Sequence, residues 1–259
     1  DEIKQTEKKL WQKIAQKLLG GRRTGLSGIG LADVFAALKL NYGSLESINL
    51  AEDIYSTIAF ESYKASIDMA KDRGAFPLWD YYREKDNPFV LRMINEGFDE
   101  EYKAKYFAYG RRNIANLTIP PSGTISLLAG ISSGIEPVYS VAHKRRRKVD
   151  SDHPNASFKD KTGIWWEEYA VVHNKFLEFY RLLLEDPDLT IPDVRNILDS
   201  LPEEVLSKFV KLSPYHGNTS YEINYRNKIT LQGVIQKYID HAISNTLNLP
   251  KDSTKEDVK

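Results

Sequence analysis

The residues best suited to chemistry lie between Asn113 and Ser140, NIANLTIPPSGTISLLAGISSGIEPVYS, where an apolar run enters a Pro-Ser-Gly-Thr turn and then a short helical segment. At a helix start the first amide hydrogens lack partners within the helix and the dipole is positive, so small residues and hydroxyls there form an anion site. Ser122, Thr124 and Ser126 supply the hydroxyls. Gly123 lets an anion approach the backbone where a side chain would collide, and Pro121 pre-sets the dihedral of the turn. Local chemistry leaves two readings open, a phosphate cradle and an ordinary capped helix start, and the second is the commoner use of such a turn.

Other chemistries find less support. The five histidines, at 143, 153, 173, 216 and 241, include no pair at a spacing that sets two ligands on one helix face. With no cysteine in the chain to complete a set, a metal centre is not expected. His216, in a polar loop, and His241, near a strand start, can each carry a proton, but solvated or structural roles are the default for both. Glu136, beside Ile135 and Pro137 and close to the turn, reads either as catalytic or as an anchor that accepts backbone or arginine hydrogen bonds, the anchor being favoured. No Gly-x-x-x-x-Gly-Lys loop and no Ser, His, Asp arrangement supports a kinase or hydrolase.

Charge excludes little more. Lysine plus arginine balances aspartate plus glutamate at 36 against 36, so no global field draws nucleic acid or a membrane surface, and neither partner is expected. The run of cations within His143–Val149 is read as a solvated strand end or loop rather than a nucleic-acid patch. No apolar run approaches the roughly 20 residues that span a bilayer, and a cytoplasmic location is expected.

The elements that must position the turn follow from periodicity. Ile3–Leu19 is a helix, with Leu10, Ile14 and Leu18 four apart, and two glycines stop it. Arg22–Ile29 is a glycine-rich strand, Asp33–Leu40 a helix and Asn41–Gly43 a turn. Ser44 caps a long helix to Asp72 that should be the main buried helix, with Leu50, Ile54, Ile58 and Tyr63 on one side. Gly74 ends it, and Asp80–Gly110 is irregular or short-helical. Strands follow at Asn113–Ile119 and Ile135–Ala142. Trp166–Leu184 reads as an amphipathic helix burying Tyr169, Val172, Phe176 and Tyr180, broken by Asp186, Pro187 and Asp188. Short helices at Ile191–Leu198 and Pro202–Val210, a loop at Ser213–Ser220, helices over Tyr221–Ala242 and a strand at Ile243–Leu249 complete the chain.

Several blocks together resemble ribonucleotide reductase large subunits. The strand, PSGT turn and SSGIEP are similar to the family's substrate-phosphate loop. Gly21–Ser44 is similar to the barrel strand and helix after the finger loop, GAFPLW at Gly74–Trp79 to the end of the next long helix, and Ile229–Pro250 to a late helix and strand. The resemblance implies an α/β fold: part of the ten-stranded α/β barrel, mostly the second five-stranded parallel half with its surrounding helices. It implies one C-terminal catalytic-barrel segment over 1–259 of a larger enzyme, with 150–214 a variable helical edge.

By the same resemblance Pro121, Ser122, Gly123, Thr124, Ile125 and Ser126 hold the phosphates of a ribonucleotide whose 2′-hydroxyl is replaced by hydrogen through thiyl-radical chemistry. The family's reacting cysteines cannot be in this cysteine-free chain. No residue here is therefore expected to be catalytic, and the partner is an N-terminal reductase fragment carrying the finger-loop cysteine, with a homodimer of the complete enzyme possible. A glycine at 123, where many aerobic subunits have glutamate, leans toward adenosylcobalamin as cofactor; the alternative is a radical from a separate metal-containing subunit. A non-catalytic nucleotide-binding or scaffold subunit derived from the same barrel is the other functional reading.

Overall fold

The computed structural model describes residues 2–186, 188–249 and 252–258, so the breaker predicted at Pro187 and the Pro250 end of the last similar block lie outside the described residues. Helices carry most of the chain. In order they are α1 (Glu2–Gly21), α2 (Leu31–Ala37), α3 (Leu45–Arg73), α4 (Tyr81–Glu84), α5 (Pro88–Arg92), which runs into a π-helical turn (Met93–Gly97), α6 (Glu100–Tyr109) and α7 (Gly123–Ala129). Strands β1 (Ala142–Val149), β2 (Phe158–Lys159) and β3 (Trp165–Val172) follow. Then come α8 (Asn174–Leu183), α9 (Ile191–Ser200), α10 (Glu203–Leu212), α11 (Tyr225–Gln236) and α12 (Lys255–Val258). None of the described helices is long and apolar enough to cross a membrane. The chain divides into two units.

The first unit comprises Asp1–Gly28, Leu45–Pro121 and Ile229–Asn245. Three extended segments lie parallel in it, Leu26 bridging Leu117 and Ile119 bridging Ile243. They are shorter than the predicted strands Arg22–Ile29, Asn113–Ile119 and Ile243–Leu249, but the order and direction are those of an α/β layer, with α3 as the crossover between the first two. Leu117 and Ile119 are both fully buried, as the centre of a parallel layer requires. Asp240 fixes that centre: its carboxylate accepts the amides of Asn116 and Leu117, each at 2.8 Å, and the Tyr63 hydroxyl at 2.7 Å.

Helix α3 is long, as expected, and Gly74, at φ +78°, closes it. Its buried stripe is Ala51, Tyr55, Ala59, Tyr63, Ile67 and Ala70, whereas Leu50, Ile54 and Ile58 are only half-buried. Tyr63 is buried as predicted, while the other three predicted positions stand one residue short of the buried ones: alanines allow close approach, and the tyrosines supply the area, each fully buried large side chain contributing about 1.5–3 kcal/mol. A second anchor is the Arg111–Glu84 pair. Glu84 also accepts Trp79 Nε1 at 2.7 Å and the Tyr106 hydroxyl at 3.0 Å, so the buried charges are fully partnered. The apolar side chains Leu10, Trp11 and Leu18 of α1 remain exposed.

The second unit comprises Ile29–Ser44, Ser122–Lys228 and Thr246–Lys259. Its antiparallel sheet has the order β1-β3-β2, with Ala142 opposite Val172, Val149 opposite Trp165 and Phe158 opposite Trp166. Two expectations are corrected here. The basic run is a full strand, whose Arg146 and Arg147 face Glu168 and Glu167 of β3 and pair with them. Residues 165–172 are strand rather than the first half of a helix; aromatic and β-branched residues opposite a complementary strand favour the sheet, and the helix begins only after His173. Val172, Phe176 and Tyr180 are buried as predicted, and Tyr169 is half-buried. The predicted strand Ile135–Ala142 reduces to one parallel bridge, Val138 with Thr219, before β1 begins.

Candidate functional site

The six predicted residues surround the start of α7. Pro121 precedes it, Ser122 is its N-cap, and Gly123, Thr124, Ile125 and Ser126 form its first turn. Ser122 does not cap the helix with its side chain. Its hydroxyl instead lies 2.9 Å from the Ser133 hydroxyl, which also accepts the Ser122 amide at 3.3 Å. The first-turn amides are thus left without the usual side-chain acceptor. A Cβ built at Gly123 would meet no atom within 4 Å, so the space above this turn is open. Ser126 turns its hydroxyl back onto the Gly123 carbonyl at 2.9 Å, and Thr124 is exposed with no partner for its hydroxyl among the described residues. Of the three hydroxyls expected to meet an anion, one is free and two are engaged within the protein. Ile125, Leu127 and Leu128 present an apolar surface around the turn.

Beside α7 lies a cleft of about 500 Å³, whose lining includes Ser126, Ser132, Glu136, His143, His173 and Asn248. Glu136 accepts the Thr246 amide at 2.7 Å and Lys228 Nζ at 2.5 Å, and Lys228 itself is buried. Glu136 thus anchors the 246 segment, as favoured from the sequence, with a lysine in place of the arginine. Two polar atoms in the wall have no partner among the described residues, the buried Ser132 Oγ and His143 Nδ1.

Behind the cleft, Asp33 gathers three donors: His173 Nε2 at 2.6 Å, the Tyr215 hydroxyl at 2.6 Å and the Ser132 amide at 2.6 Å. Burial alone would raise its pKa, but hydrogen bonds from His173, Tyr215 and Ser132 outweigh burial and hold the carboxyl at about 2. The Tyr215 hydroxyl is pushed well up, first by burial and then by its bond to Asp33. Sequence reasoning missed this cluster, because His173 and Tyr215 stand 140 and 182 positions from Asp33 and share no spacing rule with it. His216 sits exposed 3.6 Å from Glu222, in keeping with the solvated role taken as its default.

The sequence model of the family described as ribonucleotide reductase, barrel domain, matches residues 1–259, the whole chain. The chain belongs to this family. Among relatives of this reductase barrel, the vitamin B12-dependent ribonucleoside-diphosphate reductase of Thermoplasma acidophilum is 31% identical over 242 residues, covering 92% of this chain and 26% of the relative. The protein of the same name from Mycobacterium tuberculosis is 28% identical over 251 residues, covering 92% and 28%. The ribonucleoside-diphosphate reductase large subunit of Ostreid herpesvirus 1 is 22% identical over 260 residues, again covering 92% and 28%. The barrel chain therefore spans about a quarter of the length of the curated relatives it matches. Its α/β character and parallel segments agree with the family assignment.

Proposed function

We propose that this chain is the substrate-phosphate-binding part of a ribonucleotide reductase that converts ribonucleotides to deoxyribonucleotides, with the reacting cysteines on other segments of the enzyme. The observation that carries the reading is the start of α7, where no side chain caps the first-turn amides and the space off Gly123 is open, in a chain matched throughout by the reductase barrel family. Residues 121–126 hold the phosphates through amides and the Thr124 hydroxyl, and the adjoining cleft takes the sugar and base. Ser122 shapes the turn through Ser133. By fixing the substrate, this segment contributes orientation, which lowers the barrier to a step performed by groups it does not contain.

Residues 1–259 act as one barrel segment, with 150–214 at its edge, in a cytoplasmic enzyme that joins an N-terminal part bearing the finger-loop cysteine and pairs as a homodimer. The exposed apolar side chains of α1 and α7 support such a covering partner. The names of the Thermoplasma and Mycobacterium relatives favour adenosylcobalamin over a separate metal-containing subunit as the radical source. We assign no residue of this chain to that cofactor, which on this reading is held by other segments of the enzyme.

Reductase turnover of the complete enzyme, with Ser122 and Thr124 both changed to alanine, tests the reading. It predicts a raised KM for the ribonucleotide; an unchanged KM would remove the phosphate site from α7.

A further inference from the structure

Ser132 is 6% exposed and lines the cleft beside α7, and its hydroxyl is buried in that wall with no hydrogen-bond partner among the described residues. A buried hydroxyl left unpaired costs the free protein stability, so its presence needs an explanation. The backbone beneath it is held firmly: the Ser132 amide donates to Asp33, whose carboxylate is itself fixed by His173 and Tyr215. The next residue, Ser133, accepts the Ser122 amide at the head of α7. The same lining offers neutral amides and hydroxyls, Asn174, Asn248 and Ser220, beside His143 and the Asp33-bonded His173, while its one carboxylate, Glu136, is neutralised by Lys228. Such a lining suits an uncharged hydroxylated group better than a phosphate.

We propose that Ser132 is a further substrate-binding residue whose hydroxyl meets a ribose hydroxyl of the nucleotide, and that Asp33 is its positioning residue. This rests on the proposed nucleotide site but concerns the sugar, so the two are separable. In the complete reductase, affinities are measured by calorimetry for a ribonucleoside diphosphate, the matching ribonucleoside and their 2′- and 3′-deoxy analogues.

Ser132→Ala should weaken the diphosphate and the nucleoside equally, by about three- to tenfold for one neutral hydrogen bond. It should have no effect on the analogue that lacks the contacted hydroxyl, and should leave the melting temperature unchanged or raised. Asp33→Asn should give the same pattern, with no added loss in the double variant; Tyr215→Phe, which removes one of the three donors, provides a milder change if Asp33→Asn does not fold. The Ser122→Ala, Thr124→Ala double variant should instead weaken only the phosphorylated ligand. Equal affinities for wild type and Ser132→Ala, or an equal loss on both deoxy analogues, overturn the proposal. Loss of phosphate preference in the α7 variant alongside either of those results leaves the phosphate site standing without it.

Discussion

Replacing Gly123 by alanine separates fold from function at the head of α7. The position is helical, needs no left-handed backbone and offers open space to a methyl group. Glycine within a helix is destabilising by about 0.5–1 kcal/mol relative to alanine, so the protein should be unharmed or slightly stabilised. The added carbon occupies the space through which a phosphate oxygen reaches the first-turn amides. A hydrogen bond to a charged group contributes about 1.5–3 kcal/mol, so losing one such amide contact weakens binding by roughly tenfold to a hundredfold. Calorimetric titration of the complete enzyme with a ribonucleoside diphosphate reads the affinity, and thermal melting reads the fold. Unchanged affinity with an unchanged melt would refute the idea that phosphate approaches this backbone.

Three further outcomes follow from the same geometry. Glu84→Gln strips the buried Arg111 of its counter-ion and should cost about 3–5 kcal/mol, seen in urea unfolding, with partial recovery when Arg111→Met is added. Asp240→Asn should cost about 2–3 kcal/mol and speed hydrogen exchange at the Asn116 and Leu117 amides, since an amide side chain cannot accept all three of the donors that the carboxylate holds. Asp33 is lowered from 3.8 to about 2 on folding, so its stabilisation is complete above pH 4 and fades as pH falls toward 2; Asp33→Asn should flatten that part of the acid unfolding curve followed by circular dichroism.

Local signals in the sequence located α1, α3 and the first turn of α7, because capping, glycine stops and apolar spacing act over a few residues. They placed two of the three parallel segments through runs apolar on both faces, and the first through its glycines. They failed where distant partners decide the structure. Residues 165–172 carry a helical spacing of apolar groups, yet the cations of β1, more than 15 positions earlier, draw them into a sheet. On α3 the large Leu50, Ile54 and Ile58 suggested the core face, but alanines set the closest approach. The turn at the head of α7 was legible as a motif of small residues. The engagement of Ser122 with Ser133, and the Asp33 cluster that fixes Ser132, depend on contacts no spacing announces.

The most direct test of phosphate binding at α7 is a crystal structure of the complete enzyme with a ribonucleoside diphosphate bound. Phosphate oxygens at about 3 Å from the amides of Gly123, Thr124 and Ile125 are the predicted result. Phosphates bound elsewhere, with this turn facing solvent or protein alone, would contradict it.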